Sequence, residues 1–183
     1  FTNCVSLKLV SIPDGVTKIG KWAFNNCESL EVIRMPDGII SIGNYSFTGC
    51  GSLKSIIIPN SVTSIGAGAF RECKMLESVS IPDGVTEINF NAFEACRSLE
   101  SINIPNSVMV ICERAFYCCG LRSIKLPNGL KTIEPEAFRF CSLLKTITYS
   151  GTKEQWMDVY IDETWNKGVP AKVIHCFDGD VEI

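Results

Sequence analysis

The sequence predicts an α/β repeat solenoid: a right-handed coil of short parallel strands and short helical or 3₁₀ turns, closed by a C-terminal cap. The main observation is a regular spacing: phenylalanine recurs every 23 residues, with one final step of 22. Cysteine follows each phenylalanine by three residues, and leucine follows cysteine at a similar distance. A fixed period of this size is typical of proteins built from stacked repeats. The three ladders are Phe1, Phe24, Phe47, Phe70, Phe93, Phe116 and Phe138; Cys4, Cys27, Cys50, Cys73, Cys96, Cys119 and Cys141; and Leu7, Leu30, Leu53, Leu76, Leu99, Leu121 and Leu144.

Each repeat contains a segment that predicts a short β-strand ending at a proline. In residues 99–104, isoleucine alternates with polar residues, which is the pattern of a strand with one buried face. Proline ends the strand because it has no N–H to donate, and the Pro-Asp-Gly or Pro-Asn-Gly that follows favours a turn. Ser61 and Ser107 replace the turn glycine. Left-handed backbone is therefore either not required at this corner or mildly strained in those two repeats.

A second extended piece follows the proline corner. Apolar residues three positions apart, such as Val62 and Ile65, are expected to point inward, and the Ala-Phe-x-x-Cys segment after them is interpreted as a short helical or 3₁₀ turn. One coil cannot cover its own apolar interior, whereas stacked coils can. The count gives six full repeats and a partial seventh over residues 1–149, and the short repeat lacks one residue at Cys119-Gly120-Leu121.

Residues 150–183 depart from the repeat pattern and are interpreted as a C-terminal cap over the open end of the core. Thr152-Lys-Glu-Gln155 has the spacing of a capping box, which would place Trp156, Val159 and Tyr160 on one apolar helix face. Residues 171–177 predict a last strand. Solenoids need such a cap for solubility. The alternative is an aromatic ligand pocket around Trp156 and Trp165.

Composition and charge exclude several classes of partner. Hydrophobic residues make up 46% of the 183 and the formal net charge is −3, with lysine and arginine scattered along the chain. We therefore expect no nucleic-acid partner and no binding to an anionic membrane. No charged start leads into an apolar run of adequate length, so we also expect no direct membrane insertion. The chain begins inside a repeat, which we interpret as a fragment whose export signal lies upstream.

The seven ladder cysteines are interpreted as buried free thiols, and whether the other three cysteines pair is left open. Seven share one position per repeat beside the core phenylalanine, where cysteine behaves as a small buried hydrophobic residue. Stacked side chains with parallel Cα–Cβ directions also have the wrong orientation for a disulfide. Disulfides and a metal site remain the alternatives, and Cys112, Cys118 and Cys176 lie outside the ladder. His175 is the only histidine, and no zinc-ligand spacing is present.

The residues predict no catalytic site, no cofactor and no metal. His175 has no predicted partner that would make it a base, and the carboxylates recur at solvated repeat positions such as Glu31, Glu77 and Glu100. The glycines follow the repeat and are interpreted as turn residues, so no phosphate-binding loop is indicated. We therefore expect a protein that is not an enzyme.

The repeat Ile-Pro-Asp-Gly-Val-Thr-x-Ile-Gly followed by Ala-Phe-x-x-Cys-x-x-Leu-x-x-Ile resembles the BspA-like class of leucine-rich repeats over residues 1–149. This resemblance implies a secreted or cell-surface protein of a bacterium. It also implies adhesion to host extracellular matrix or to other cell-surface proteins, as reported for some members. The family motif is entirely framework, so it assigns no binding residue.

The parallel-strand face is the candidate binding surface, since solenoids offer such extended faces to partners. Alternation around the central isoleucine predicts which side chains point outward. We expect a protein ligand to bind there, while the alternative function is a structural spacer that presents another domain at the cell surface. The candidate residues are Val32, Arg34, Ser55, Ile57, Ser78, Ser80, Ser101, Asn103, Ser123 and Lys125.

Overall fold

The computed structural model, which describes residues 1–183, is a solenoid of parallel strands whose coils pair one repeat apart. Leu9 pairs with Val32, and Ser78 with Ser101, a shift of one 23-residue repeat. A second set of strands pairs in the same way, with Lys18 beside Ser41 and Ser41 beside Ser64. Because every coil faces a near copy of itself, the repeat length alone fixes the register. We number the coils 1 to 7 by their ladder phenylalanines, Phe1 to Phe138.

The strands are short, from two to four residues, and one helix is present. In chain order the elements are β1 (Leu9–Ser11), β2 (Lys18–Ile19), β3 (Val32–Arg34), β4 (Ser41–Ile42), β5 (Ser64–Ile65), β6 (Ser78–Ser80), β7 (Glu87–Ile88), β8 (Ser101–Asn103), β9 (Val110–Ile111), β10 (Ser123–Leu126), β11 (Thr132–Ile133), β12 (Thr146–Tyr149), α1 (Lys153–Met157), β13 (Tyr160–Ile161), β14 (Val173–Cys176) and β15 (Gly179–Glu182).

The phenylalanine ladder forms the spine of the core. Consecutive rings from Phe1 to Phe138 stack with centroids 5.2–5.6 Å apart and planes within 15° of parallel. Offset-stacked aromatic pairs at this separation are favourable beyond the area they bury. The ladder leucines and the central strand residues pack around the rings in a single core of 50 residues.

The six ladder cysteines from Cys27 to Cys141 are hydrogen-bonded as well as buried. The thiol of Cys50 donates to the Phe24 carbonyl oxygen at 3.1 Å, and Cys73 donates to that of Phe47 at 3.2 Å. The same contact recurs at every step from Cys27 to Cys141. The seven ladder cysteines are free thiols, as predicted, and Cys112, Cys118 and Cys176 are also unpaired. Each of the six hydrogen-bonded thiols therefore ties its coil to the preceding one, a role that hydrophobicity alone does not reveal.

The Ala-Phe-x-x-Cys segment has the i→i−3 hydrogen bonds of a turn, but it is not a continuous helix. In coil 3 the N–H groups of Tyr45, Phe47 and Gly49 donate to coil 4, whereas those of the residues between them donate within the coil. Tyr45 adopts φ 56° and Gly49 φ 74°, so left-handed backbone interrupts the helical path. The segment thus adds a third ladder of hydrogen bonds between coils.

The proline corner does not require left-handed backbone. Gly15 has φ 89°, but Ser61 and Ser107 do not have positive φ. Their hydroxyls instead donate to the preceding coil, to the Ile39 oxygen at 2.6 Å and the Val85 oxygen at 2.7 Å. Gly43, by contrast, is needed for close approach, because a Cβ there would lie 2.7 Å from the Lys21 nitrogen.

Residues 150–183 pack on coil 7 and follow much of the path of another coil. Helix α1 has the predicted capping box between Thr152 and Gln155, but Tyr160 is exposed, so its assignment to the buried face was wrong. β13 pairs with β11, and β14 pairs with β12 before turning back into β15. Trp165 lies edge-on against Phe138, with centroids 5.8 Å apart, and ends the ring stack. Its role as a protective cap stays a prediction.

Candidate protein-binding face

The ten candidate residues all point to solvent from the first set of strands. We call their surface the strand face; it consists of the outward side chains of β1, β3, residues 55–57, β6, β8, β10 and β12. In β3, β6 and β8 the central residue, such as Ile33 or Val79, is buried while its two neighbours are exposed. Ser55 lies in the same register through a bridge to Ser78. The role of these residues in binding stays a prediction.

Apolar and cationic side chains lie at one end of the strand face. Val32 is 41% exposed and Ile57 is 85% exposed, with Arg34 beside them in the same strand as Val32. Ile57 extends from a segment between Ile56 and Ile58, which are both buried and hold the backbone in place. An isoleucine that is almost fully exposed on a fixed backbone contributes little to folding and is available to a partner.

The strand face carries no carboxylate. The protein has 20 acidic residues, yet the outward positions of the strand face hold only hydroxyl, amide, apolar and cationic side chains. Asn103 donates to the Ser80 hydroxyl at 3.4 Å, but the hydroxyls of Ser78 and Ser101 have no partner in the chain. These polar groups are therefore free to exchange water for a ligand.

A shallow groove with a volume of about 530 Å³ crosses three neighbouring coils of the strand face. Its rim is formed by Ser55, Ile57, Ser80 and Asn103, and its floor by the buried central residues of the strands. Sequence reasoning missed this groove. The run of serine at the equivalent position of four consecutive coils was its only signal, since small side chains leave the space between neighbours open.

The charged residues at the turns are used differently, because they pair with one another between coils. Arg71 contacts Glu94 at 3.2 Å and Arg114 contacts Glu136 at 2.6 Å. Hydrogen bonds from Arg114 hold the pKa of Glu136 below its ordinary value. The charged residues at the turns therefore form ion pairs with one another. Arg34 and Lys125 on the strand face, in contrast, have no ionic partner.

The thiols offer no nucleophile for catalysis within the core. Burial raises the pKa of Cys50 and of Cys141 to about 12, and it raises the pKa of Cys73 well above the ordinary value of a thiol. A thiol in this state is almost entirely protonated at neutral pH and therefore unreactive. No group of three or more metal-ligating side chains is present.

The aromatic residues of the tail are part of the core. Trp156 and Trp165 are buried with centroids 6.4 Å apart, and Tyr149 packs against Trp156 at 5.1 Å. This packing favours a structural role over the alternative of a ligand pocket. The His175 side chain is exposed on the β14–β15 hairpin, with Nδ1 2.9 Å from the Asp180 carboxylate.

Comparisons with known proteins agree with this architecture. Residues 1–111 and 65–157 match the BspA type leucine-rich repeat region, in six copies. A leucine-rich cell surface protein from Faecalibacterium prausnitzii has a similar structure, with 41% identity and a TM-score of 0.75 over 78% of this chain. The leucine-rich repeat protein of T. pallidum has 35% identity and a TM-score of 0.73 over 79% of this chain. A leucine-rich repeat protein from Bacteroides ovatus has 26% identity over 88% and a TM-score of 0.53.

The chain is shorter than these relatives. It spans 39% of the Faecalibacterium protein, 68% of the T. pallidum protein and 52% of the Bacteroides protein. A comparison with curated proteins finds no match. No helix in the structure is long and apolar enough to cross a membrane.

The repeat family and its solenoid fold are generally non-enzymatic and are suited to binding other proteins. The solenoid is also the architecture that the sequence predicted, with parallel strands and little helix. The repeat match and the two similar structures above 30% identity show that the chain belongs to the BspA-type leucine-rich repeat family.

Proposed function

We propose that this chain is a non-enzymatic protein-binding module of the cell surface or of a secreted protein, and that it mediates adhesion through the strand face. The observation that carries the proposal is the strand face itself. It is an extended surface whose polar and apolar side chains are largely exposed and form few side-chain hydrogen bonds within the chain. The description of the Faecalibacterium relative as a cell surface protein supports the proposed location.

The proposed partner is a protein, such as a host extracellular matrix component or another cell-surface protein. The groove is shallow and open, which suits a protein surface better than a buried small molecule. Ile57, Val32 and Arg34 provide apolar and cationic groups of the kind that dominate binding energy when a partner covers them.

The test is a double substitution on the strand face. The intact chain is immobilised and its binding to a panel of purified matrix and surface proteins is measured, including fibronectin, laminin and collagen. We expect Arg34→Glu with Ile57→Asp to weaken capture at least about tenfold, because a charge at the centre of an interface is desolvated without a partner. Both residues are exposed, so the melting temperature should change little.

The control introduces the same two acidic residues on the opposite sheet, as Lys18→Glu with Ser41→Asp. These neighbours pair in β2 and β4, and the control should bind as the unmodified chain does. Equal binding by both double variants would move the interaction off the strand face. If the chain captured no protein of the panel, a structural spacer would become the better interpretation.

A further inference from the structure

The shortened repeat changes the shape of the molecule beside the strand face. In coils 2, 3 and 5, the N–H groups of Ser29, Ser52 and Ser98 donate to the preceding coil. Coil 6 lacks the residue at this position, because Gly120 follows Cys119 and leads directly to Leu121. Gly120 lies so close to coil 5 that a Cβ would be 2.2 Å from the Arg97 oxygen.

The missing residue leaves a notch of about 410 Å³ between coils 5 and 7. Cys119 and Gly120 lie in it, Phe140 and Leu143 from coil 7 form an apolar wall, and Arg97 from coil 5 lies on the rim. Phe140 is 42% exposed and Leu143 is 43% exposed. The notch has the size and lining of a site for one apolar side chain.

Phe140 is fixed in place from three sides. Tyr117 packs edge-on against its ring at 5.5 Å, and the Arg139 guanidinium lies 4.7 Å from the ring centroid. Gly168 leaves room for the ring, since a Cβ there would be 3.0 Å from Phe140 Cδ1. A wall held in this way requires little ordering when a ligand binds.

A second depression joins the notch to the strand face. This trough of about 650 Å³ shares Arg97 and Leu143 with the notch, and it shares Ser78 and Ser101 with the groove of the strand face. Groove, trough and notch therefore form one continuous path across the coils. The path is suited to an extended segment of chain, which advances about 3.3 Å per residue.

The charges along the path indicate where an acidic group belongs. Four charged residues line the trough: Arg122 pairs with Glu100 at 3.3 Å, whereas Arg97 and Glu77 have no ionic partner. Arg97 lies between the notch and the trough. A carboxylate of the partner, close to an apolar side chain in the notch, would form an ion pair with Arg97.

We propose that the partner binds through an extended peptide segment that runs from the strand face into the notch, with one apolar side chain against Phe140 and Leu143. An aspartate or glutamate within about three residues of that side chain pairs with Arg97. This inference rests on the proposed protein-binding function and names the chemistry of the partner.

The experiment selects binders from random 12-residue peptides displayed on phage, with the intact chain as target. We expect the enriched peptides to share an apolar residue followed or preceded closely by an acidic one. A synthetic peptide of that consensus should bind at least about tenfold more weakly to Leu143→Asp and to Arg97→Glu. Met75→Asp and Lys74→Glu are the matched controls, since Met75 and Lys74 occupy the equivalent repeat positions away from the path. Met75 is 42% exposed and Leu143 is 43% exposed, so the two positions are matched in exposure.

Three outcomes would overturn the inference, and they separate it from the proposed function. Enriched peptides that respond to the Arg34→Glu, Ile57→Asp change but not to Leu143→Asp or Arg97→Glu would keep the strand face and remove the notch. Failure to enrich any peptide, with a folded matrix protein still captured, would show that the partner is not an extended segment. Peptides without an acidic residue, bound equally by Arg97→Glu, would remove the ion pair.

Discussion

Replacing Ser46 by alanine should stabilise the protein. Ser46 is fully buried immediately before Phe47, and its hydroxyl has no hydrogen-bond partner. Alanine occupies the same position in the later coils at Ala69, Ala92 and Ala115, where it is also fully buried. The core therefore already accommodates a methyl group at this point of the repeat, and removing the hydroxyl should leave no significant cavity.

The magnitude follows from the cost of burying an unpaired hydroxyl. Mutational data place that cost at about 1–3 kcal/mol, so a net gain of about 1–2 kcal/mol in the free energy of unfolding is expected for Ser46→Ala. For a protein of this size, such a gain raises the melting temperature by roughly 2–8 °C. Thermal and urea denaturation, followed by circular dichroism, measure both quantities.

The reciprocal change provides the control. Ala69→Ser places the same hydroxyl one coil further along, where it should destabilise the protein by a comparable amount. A Ser46→Ala variant that melts below the unmodified chain would refute the reasoning, because the hydroxyl would then have a partner that stabilises the fold. So would an Ala69→Ser variant with unchanged stability.

Three further predictions concern the core, its thiols and the tail. Phe93→Ala should lower the free energy of unfolding by about 3–5 kcal/mol, as for other core aromatics, and a loss below about 1 kcal/mol would contradict the core assignment. Because burial raises the pKa of Cys50 and Cys141 to about 12 from the ordinary 9.0, both thiols should react slowly with a thiol reagent until the chain is denatured. The protonated thiols of Cys50 and Cys141 contribute their full stabilisation below pH 9. This stabilisation is lost as the pH rises toward 12, because unfolding then releases protons. Urea midpoints that rise between pH 9 and pH 12 would contradict this prediction. Removal of residues 150–183 should expose the coil 7 core and the edge of β12 and cause aggregation, visible by light scattering, whereas a soluble monomer with unchanged melting would show that the segment is not a cap.

The register and the core could be predicted from the sequence because the repeat determines both. Leu9 pairs with Val32 one period away, and the phenylalanines stack because they occur once per period. The outward direction of the strand-face side chains follows from simple alternation within each strand. These features depend on spacing alone, which the sequence displays directly.

Other features depend on backbone geometry that spacing does not display. The thiol of Cys50 donates to a carbonyl 26 residues earlier, in the preceding coil, and hydrophobic patterning contains no sign of that contact. In the repeats, the Phe116 N–H donates to the backbone oxygen of Ala137 in the next coil. In the tail, the Phe138 N–H donates in the same way to the backbone oxygen of Trp165. The helix α1 lengthens this coil and removes the 23-residue spacing, so the continued path is hidden in the sequence.

The two halves of each repeat differ in how freely they can vary, and this difference bears on binding. Framework positions are nearly constant from coil to coil, since Phe70, Cys73 and Leu76 are each fully buried and bonded or packed against the neighbouring coils. The outward positions are exposed and vary more, with valine at position 32 where the later coils have Ser55 and Ser78. Substitutions at such exposed positions usually alter stability by less than about 0.5 kcal/mol. A loss of binding on the strand face can therefore be attributed to the interface itself, and specificity can reside there without any cost to the fold.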